Sequence, residues 1–201
     1  ELINLLHHDD MRVRLRAQFA LAERGPESAS AFTKVANADE NQLARLHAIW
    51  GLGQLGRSDQ DFLSPVHDLL QDSDSEVRAQ SARVLGEARD KAAAAALMPL
   101  LTDQSLRVRF FAAIALGTME DNNAVDPLIT MLRENDGRDR QLMHAGIVAL
   151  ERIGNRDAVQ RYASDPSGAV RMTVLLVQRR WADPLIVQFI DDADLKVVTE
   201  A

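Results

Sequence analysis

One short pattern repeats along the whole of this 201-residue chain. Near-copies are anchored on a Val-Arg pair at Val77, Val108 and Val170, and degenerate copies are anchored at Val13, Ala44, Leu142 and Val197. Successive anchors are 27 to 34 residues apart, which is room for two short helices and two turns. Such a repeat cannot bury its apolar face alone, so consecutive copies stack into a solenoid whose free face binds other molecules. We therefore predict an all-α, right-handed α-α superhelix of about seven helical pairs, forming a single solenoid over residues 1–201.

A side chain that can cap a helix stands three residues before every anchor. These side chains are Asp10, Asn41, Asp74, Ser105, Asp139, Ser167 and Asp194. Their oxygen atoms accept hydrogen bonds from the N–H groups that the first turn of a helix leaves free. Seven helices are therefore predicted to begin at these caps, and each is the second helix of its pair.

Two columns of residues follow the anchors at helical spacing. The small column is Ala17, Ala48, Ser81, Ala112 and Gly146, and the large column is Leu21, Leu52, Leu85, Leu116 and Leu150. Positions four apart share one face of a helix, so both columns are predicted to be buried between neighbouring helices. Apolar clusters before each cap predict the first helix of the pair.

Arginine follows the anchor in five repeats, at Arg14, Arg45, Arg78, Arg109 and Arg171. The helix dipole disfavours a cation in the first turn, so we expect each arginine to pair with a carboxylate of a neighbouring repeat. Gly25, Gly56 and Gly154 follow three second helices, where glycine permits a left-handed stop. Pro99 should kink or restart the helix that precedes it.

Taken together, these residues resemble the short, bacterial type of HEAT repeat, whose consensus has an Asp cap, a Val-Arg pair, an alanine column and Ala-Leu-Gly. The resemblance extends over nearly the whole chain and implies a HEAT-like solenoid. Repeats of this family serve as scaffolds, as domains attached to enzymes and as nucleic-acid clamps, so the fold alone does not assign a function.

A narrower resemblance lies in residues 107–117, 138–146, 179–184 and 197–201. These segments are similar to the HEAT segment of the large haem-binding, membrane-bound-dehydrogenase-type proteins of planctomycetes and their relatives. There the repeats lie between a propeller-like dehydrogenase domain and a cytochrome c domain. The resemblance implies that this chain is a fragment, with incomplete terminal repeats, of an envelope oxidoreductase or electron-transfer protein. It also implies a periplasmic or cell-envelope location, with a cytoplasmic location as the alternative.

Composition excludes several classes of function. Without cysteine the chain has no disulfide, no thiolate metal site and no attached c-type haem, and its histidines lack the i, i+4 spacing of a helical metal pair. We expect no cofactor, no metal and no small-molecule ligand in this segment. The formal charge of −7 disfavours nucleic acid as a partner, and no apolar run is long enough to span a bilayer. We interpret the basic clusters, such as Arg138 with Arg140, as solvated side chains or as ion pairs with neighbouring acids, and the alternative is a binding patch.

The outward side of the second helices is the predicted interaction surface. Positions two and five residues after the repeated arginine lie opposite the buried columns, and they are unexpectedly apolar for a solvent face. The predicted site has Phe19, Trp50, Phe110 and Phe111 as contacts, surrounded by Arg16, His47, Arg83 and His144. On this interpretation it binds another protein or a neighbouring domain of the parent. The alternative is that adjacent repeats bury these side chains.

No residue pattern in the chain predicts a catalytic site. Phosphate-cradling glycine loops, nucleophile elbows and paired acids with catalytic spacing are all missing from the sequence. We therefore predict a non-catalytic interaction scaffold. The alternative is a HEAT-like enzyme of the bilin lyase or DNA glycosylase type, which would use the concave groove.

Overall fold

A computed structural model describes residues 1–38 and 40–201 of the chain. The described residues form helices and turns without any strand, and they fall into two compact units, Glu1–Ala96 and Leu97–Ala201. The all-α class and the helical pairs are confirmed. The single solenoid over the whole length stays a prediction.

In the first unit, α1 (Met11–Glu23), α3 (Gln42–Leu55) and α5 (Ser75–Glu87) pack side by side in chain order. Shorter segments complete the unit: η1 (Leu2–His7), η2 (Gly25–Ser28), α2 (Ala29–Ala38), η3 (Gln60–Leu63), α4 (Ser64–Asp68), η4 (Leu69–Gln71), η5 (Lys91–Ala93) and α6 (Ala94–Leu97). The α2 helix packs along α3, so the described part of this unit has an inner row of long helices and an outer row of shorter ones.

In the second unit, α7 (Leu106–Thr118), α9 (Arg140–Ile153) and α11 (Gly168–Arg180) pack in the same way, and α12 (Leu195–Glu200) packs against α11. The remaining segments are η6 (Met98–Thr102), η7 (Asn122–Ala124), α8 (Val125–Asn135), α10 (Arg156–Gln160) and η8 (Pro184–Phe189). Contact between α7 and α9 is the most extensive between any two elements of this unit.

The seven second helices begin where the sequence predicts. Each of α1, α3, α5, α7, α9, α11 and α12 starts at the residue after its cap. Six of the caps accept a hydrogen bond from a first-turn N–H, as Asp139 Oδ1 does from Leu142 N at 2.7 Å. Ser105 is the exception, because it occupies the cap position of α7 without a side-chain hydrogen bond.

Both predicted columns are buried, from Ala17 to Gly146 and from Leu21 to Leu150. A fully buried leucine stabilises the fold by about 2 kcal/mol relative to an exposed one, so the large column is a main source of stability. The small column sets how closely helices approach. A Cβ atom at Gly146 would lie 2.7 Å from Cδ2 of Leu132, which leaves no room for a larger residue.

The first segment of most pairs is shorter than predicted. Only α2 and α8, among the described segments of this row, reach ten residues, and the others are single turns or 3-10 helix. Proline stands in the first turn of η2, α4, η6 and η8, where its fixed φ angle is tolerated but its ring interrupts the helix before it. The prediction for Pro99 is confirmed, because α6 ends at Leu97 and η6 restarts at Met98.

Two of the three predicted glycine stops are confirmed. Gly25 and Gly154 adopt φ +71°, whereas Gly56 has φ −60° and does not need to be glycine for its backbone angles. A Cβ atom at Gly56 would lie 2.5 Å from Cδ2 of Leu63, so close packing is what requires glycine there.

The repeated arginines bind main-chain oxygens more often than carboxylates. Nη1 of Arg14 donates to the carbonyls of His8 and Asp9, at 2.7 and 2.8 Å, and Arg78 binds the turn before α5 in the same way. Arg109 donates to the carbonyl of Leu101 at 2.9 Å. The turn before each second helix leaves carbonyls without partners, and the arginine satisfies them from within its own repeat.

The predicted pairing with a neighbouring carboxylate holds for three of these arginines. Nη2 of Arg109 lies 3.5 Å from Oε2 of Glu134 on α8. Arg45 binds both carboxylate oxygens of Asp72, and Arg171 binds both oxygens of Asp192 at 2.7 Å. For Arg14 the prediction was wrong, because its guanidinium donates to the carbonyl oxygens of His8 and Asp9 instead.

Candidate functional site

Three of the predicted interaction residues line one groove in the second unit. Phe110 and Phe111 on α7 and His144 on α9 border an open space of about 660 Å³. The space lies between the first turns of the two helices, and we call it the α7–α9 groove. Its other lining residues are Leu106, Arg107, Asp139, Arg140, Gln141 and Leu142.

The α7 side of this groove is apolar. The rings of Phe110 and Phe111 meet edge to face, with centroids 5.2 Å apart and planes at 88°, and both side chains are half-buried. Leu106 lies one turn earlier and is 48% exposed, while Leu142 of α9 is buried beneath the groove. Edge-to-face rings hold each other in place, so this wall is a fixed aromatic surface.

The rim of the α7–α9 groove carries positive charge. Cζ of Arg107 lies 5.2 Å above the ring centroid of Phe111, which is a cation–π geometry. Arg140 and His144 are exposed on α9. The one acid in the lining is Asp139, and its Oδ1 already accepts the N–H of Leu142 as the cap of α9.

Small residues hold the two walls of the groove together. A Cβ atom at Gly117 of α7 would lie 2.4 Å from Cα of Ala149 on α9, so the helices approach to backbone contact there. A main-chain atom cannot move aside as a flexible side chain can. Packing therefore sets the spacing of α7 and α9 near their C-terminal ends, at the opposite end of both helices from the groove.

In the first unit, Trp50 and Arg83 line a smaller cleft of about 310 Å³. The indole N–H of Trp50 donates to Oε1 of Gln80 on α5 at 2.9 Å, and Arg83 is paired with Glu87 on its own helix at 2.7 Å. Trp50 is half-buried, so it is neither a core residue nor a fully exposed contact.

His47 is not the exposed rim residue that the sequence predicts. It is 3% exposed, its Nδ1 lies 2.8 Å from Oε1 of Gln18, and its ring packs edge-on to Trp50 with centroids 4.9 Å apart. Burial, with a smaller effect of nearby Arg14, lowers the pKa of His47 to about 4. The prediction was wrong because this side of α3 packs against α1, where Gln18 contacts the ring of His47.

Phe19 and Arg16 are exposed, as predicted, but they do not join the Trp50 cleft. Phe19 is 46% exposed, and Arg16 lines a separate shallow depression with Leu2 and Leu5. Within the first unit, the predicted surface therefore divides into patches, while Phe110, Phe111 and His144 share one groove in the second unit.

Sequence reasoning missed Leu106 and Arg107, and it gave Arg140 a binding role only as an alternative. Arg138, its companion in the basic cluster, donates to the main-chain carbonyls of Asn135 and Glu134 and not to the carboxylate of a neighbouring acid. No described residue forms a hydrogen bond or ion pair with Arg140. The available signal was position, because Leu106, Arg107 and Arg140 directly follow two helix caps and so lie at the same end of neighbouring helices.

Other basic clusters do form the expected ion pairs. Arg156 binds Asp183 at 3.0 Å, Arg180 binds Glu151 at 3.1 Å and Arg179 binds Glu200 at 3.0 Å. Among residues 1–38 and 40–201 no group of three His, Asp or Glu side chains is arranged to hold a metal ion. In the same residues no helix has the length and apolar character needed to cross a membrane.

The chain matches the model of a family described as HEAT repeats over residues 1–75 and 63–145. The chain matches no curated protein sequence.

Solved structures with the same fold include an engineered protein at 20% identity and TM-score 0.58, covering 99% of this chain and 91% of that one. The complex of CpcE and CpcF of phycocyanin lyase from Nostoc sp. PCC7120 matches at 21% identity and TM-score 0.59, covering 87% and 73%. A designed armadillo repeat protein in complex with the peptide (KR)4 matches at 17% identity and TM-score 0.52, covering 89% and 97%. At these identities the likeness establishes the fold, an all-α helical-repeat solenoid.

Proposed function

The chain belongs to the family of HEAT repeats, and from that premise we propose that it is a non-catalytic scaffold whose α7–α9 groove docks an extended segment of another protein. The observation that carries the proposal is the half-buried Phe110–Phe111 pair in an open groove. Half-buried aromatic side chains leave apolar surface in water, and a partner that covers it gains the free energy of burial.

The chemistry of the groove supports a protein partner. An apolar wall with a few polar groups at its edge is the usual make-up of a recognition site, since burial supplies affinity and the polar groups set orientation. Backbone contact between α7 and α9 at Gly117 fixes the two helices against each other before binding. A preformed site loses less conformational entropy when the partner binds.

The Trp50 cleft of the first unit is a weaker docking candidate. Its polar groups are already engaged, Trp50 with Gln80 and Arg83 with Glu87. A partner would have to break these hydrogen bonds and ion pairs before it could replace them. The cost of breaking them offsets the free energy gained from the new contacts.

Peptide recognition by a related fold supports the mode of binding. The designed armadillo repeat protein is similar to this chain in fold, and it is in complex with the peptide (KR)4. A row of parallel helices presents side chains at regular spacing, which suits an extended chain.

The test is a selection from a random peptide library against the full chain, followed by affinity measurements on two matched variants. Leu106→Asp places a charge in the groove, and Leu43→Asp makes the same change at a comparably exposed leucine on α3, at 46% against 48%. We expect Leu106→Asp to lower the affinity for the selected peptides at least about tenfold, which is a loss of about 1.4 kcal/mol in binding free energy. Leu43→Asp should leave this affinity unchanged. Equal affinity of both variants and the unaltered chain would refute docking in the groove.

The enzymatic alternative has a direct test as well. Phycocyanin lyase activity belongs to the CpcE and CpcF complex, and the 21% identity carries only the fold to this chain. A bilin lyase would bind free bilin, which is visible as a change in the visible absorbance spectrum on mixing. We propose that no such change occurs.

The narrower likeness to envelope dehydrogenase proteins gives a further proposal about the parent. If the chain is the HEAT segment of such a protein, its partners include neighbouring domains, and its location is the cell envelope. A Cys-x-x-Cys-His motif encoded downstream would support this parent, and a full-length gene without haem-attachment or dehydrogenase segments would exclude it.

A further inference from the structure

We infer that the partner of the α7–α9 groove is acidic: a peptide segment in which Asp or Glu stands beside an apolar residue. This inference rests on the docking function proposed above and adds the chemistry of the partner. The apolar side chain lies against Phe110 and Phe111, and the carboxylate lies against Arg140 and Arg107.

Charge on the groove is the first support. Arg107, Arg140 and His144 line it, against one carboxylate, Asp139. That carboxylate accepts the N–H of Leu142 and is held at the cap of α9. A partner therefore meets two permanently cationic side chains and an imidazole, and an acidic segment matches them.

Arg140 is the clearest recognition group. It is exposed at the first residue of α9, and its guanidinium has no hydrogen-bond or ion-pair partner among the described residues. Other arginines of this unit are paired with acids of the chain, such as Arg156 with Asp183 and Arg180 with Glu151. A guanidinium presents a planar fork of N–H donors that fits both oxygens of a carboxylate.

Arg107 links the charged and apolar parts of the groove. Its guanidinium lies over the ring of Phe111, so a carboxylate that approaches it comes within reach of the aromatic wall. The ends of α7 and α9 at the groove are also their N-termini, whose dipoles favour negative charge. An Asp or Glu next to an apolar residue can thus satisfy both features with adjacent side chains.

The formal charge of the whole chain makes this preference specific. At −7 the protein repels acidic molecules at long range, so selection of an acidic segment must come from the groove itself. Nucleic acid is a less suitable anion, because its affinity depends on neutralising many phosphates, and the groove offers two arginines.

The experiment uses fluorescence anisotropy with the full chain and a selected peptide in two forms, one with its Asp and Glu residues intact and one with Asn and Gln in their place. We expect the acidic form to bind at least about tenfold more tightly at low salt, with the difference shrinking as salt is raised. Arg140→Gln should remove most of the difference without weakening the amide form. Arg57→Gln, an exposed arginine of the first unit, is the control and should change neither affinity.

Four outcomes overturn the inference, and they separate it from the docking function. If both peptide forms bind equally and Leu106→Asp abolishes this binding, docking in the groove stands and the acidic partner is refuted. A selection that enriches no acidic peptides has the same consequence. Binding that Leu106→Asp leaves unchanged refutes both proposals. A single-stranded oligonucleotide that binds more tightly than the acidic peptide, and loses affinity in Arg140→Gln, identifies nucleic acid as the partner instead.

Discussion

Nδ1 of His47 lies 2.8 Å from Oε1 of Gln18, and this contact joins α3 to α1 inside the first unit. On the same helix, the indole N–H of Trp50 donates to Gln80 of α5. Polar bridges thus connect consecutive second helices beside their apolar columns. A buried polar group is tolerated only when it has a partner, so these bridges favour one alignment of the helices.

The buried His47 predicts a stability that depends on pH. Its pKa is about 4 in the folded chain and 6.5 when unperturbed, so between these values the unfolded chain binds more protons. The contribution of neutral His47 to the free energy of unfolding is fully present above pH 6.5. It falls as the pH drops from 6.5 to about 4, and it changes no further below that. At about 1.4 kcal/mol per pKa unit, the loss is at most about 3.5 kcal/mol.

Urea unfolding of the unaltered chain and His47→Gln over this pH range measures the effect. The difference in unfolding free energy between the two should shrink steadily on acidification, because only the unaltered chain has the titrating group. A difference that stays constant from pH 7 to 4 would show that His47 is not buried as described.

Arg171 should contribute more to stability than an exposed arginine with the same kind of partner. It binds both oxygens of Asp192 and the carbonyls of Asp165 and Pro166, and the side chains of Arg171 and Asp192 are 14% and 6% exposed. Arg171→Ala removes the paired cation from the buried carboxylate of Asp192 and the donor from both carbonyls, and it should cost about 3 kcal/mol. Arg12 pairs with Asp10 at 85% exposure, so Arg12→Ala should cost less than about 1 kcal/mol. Similar costs in chemical denaturation would contradict this.

Gly117 should be intolerant of even a methyl group. Alanine gains about 1 kcal/mol of helix propensity over glycine, but its Cβ atom would lie 2.4 Å from Cα of Ala149. We expect Gly117→Ala to destabilise the chain by at least about 2 kcal/mol, since two backbones must separate. Gly137→Ala is the comparison, because nothing lies within 4 Å and only its φ of +70° is strained, at about 1 kcal/mol. Equal midpoints for the two variants in thermal unfolding would argue against the close approach of α7 and α9.

Trp50 and Phe19 should contribute differently to the stability of the fold, although both were predicted to contact a partner. Trp50 is half-buried against His47 and hydrogen-bonded to Gln80, so Trp50→Ala should cost about 2 kcal/mol. Phe19 is 46% exposed, and Phe19→Ala should cost less than about 1 kcal/mol. Calorimetry on both variants checks the ranking, and an unchanged unfolding temperature for Trp50→Ala would mean that the indole is not part of the helix-to-helix bridge.

The second helices are predictable from sequence because their signals are local. A cap such as Asp74 and the spacing of Ser81 and Leu85 lie within one helix, and each was found where predicted. The first segments were less predictable. Apolar clusters there suggested full helices, but proline and the short repeat reduced most of them to single turns.

The candidate site was predicted in part, and the reason lies in tertiary packing. Helical spacing alone puts His47, Gln80 and Thr173 on the outward side, yet all three are buried. The periodicity of one helix predicts which side of it faces its own repeat. It does not predict how much of the opposite side is buried by the second helix of the adjacent repeat. The same limit hid the α7–α9 groove, because its arginines become one rim only when two helices lie side by side.

Chemical-shift mapping of the isotope-labelled full chain, titrated with a peptide selected against it, tests docking in the α7–α9 groove most directly. We predict that the largest amide shifts fall on residues 106–111 of α7 and 139–144 of α9, and that they vanish in Leu106→Asp. Shifts centred on the Trp50 cleft, or spread evenly over the second helices, would contradict the account.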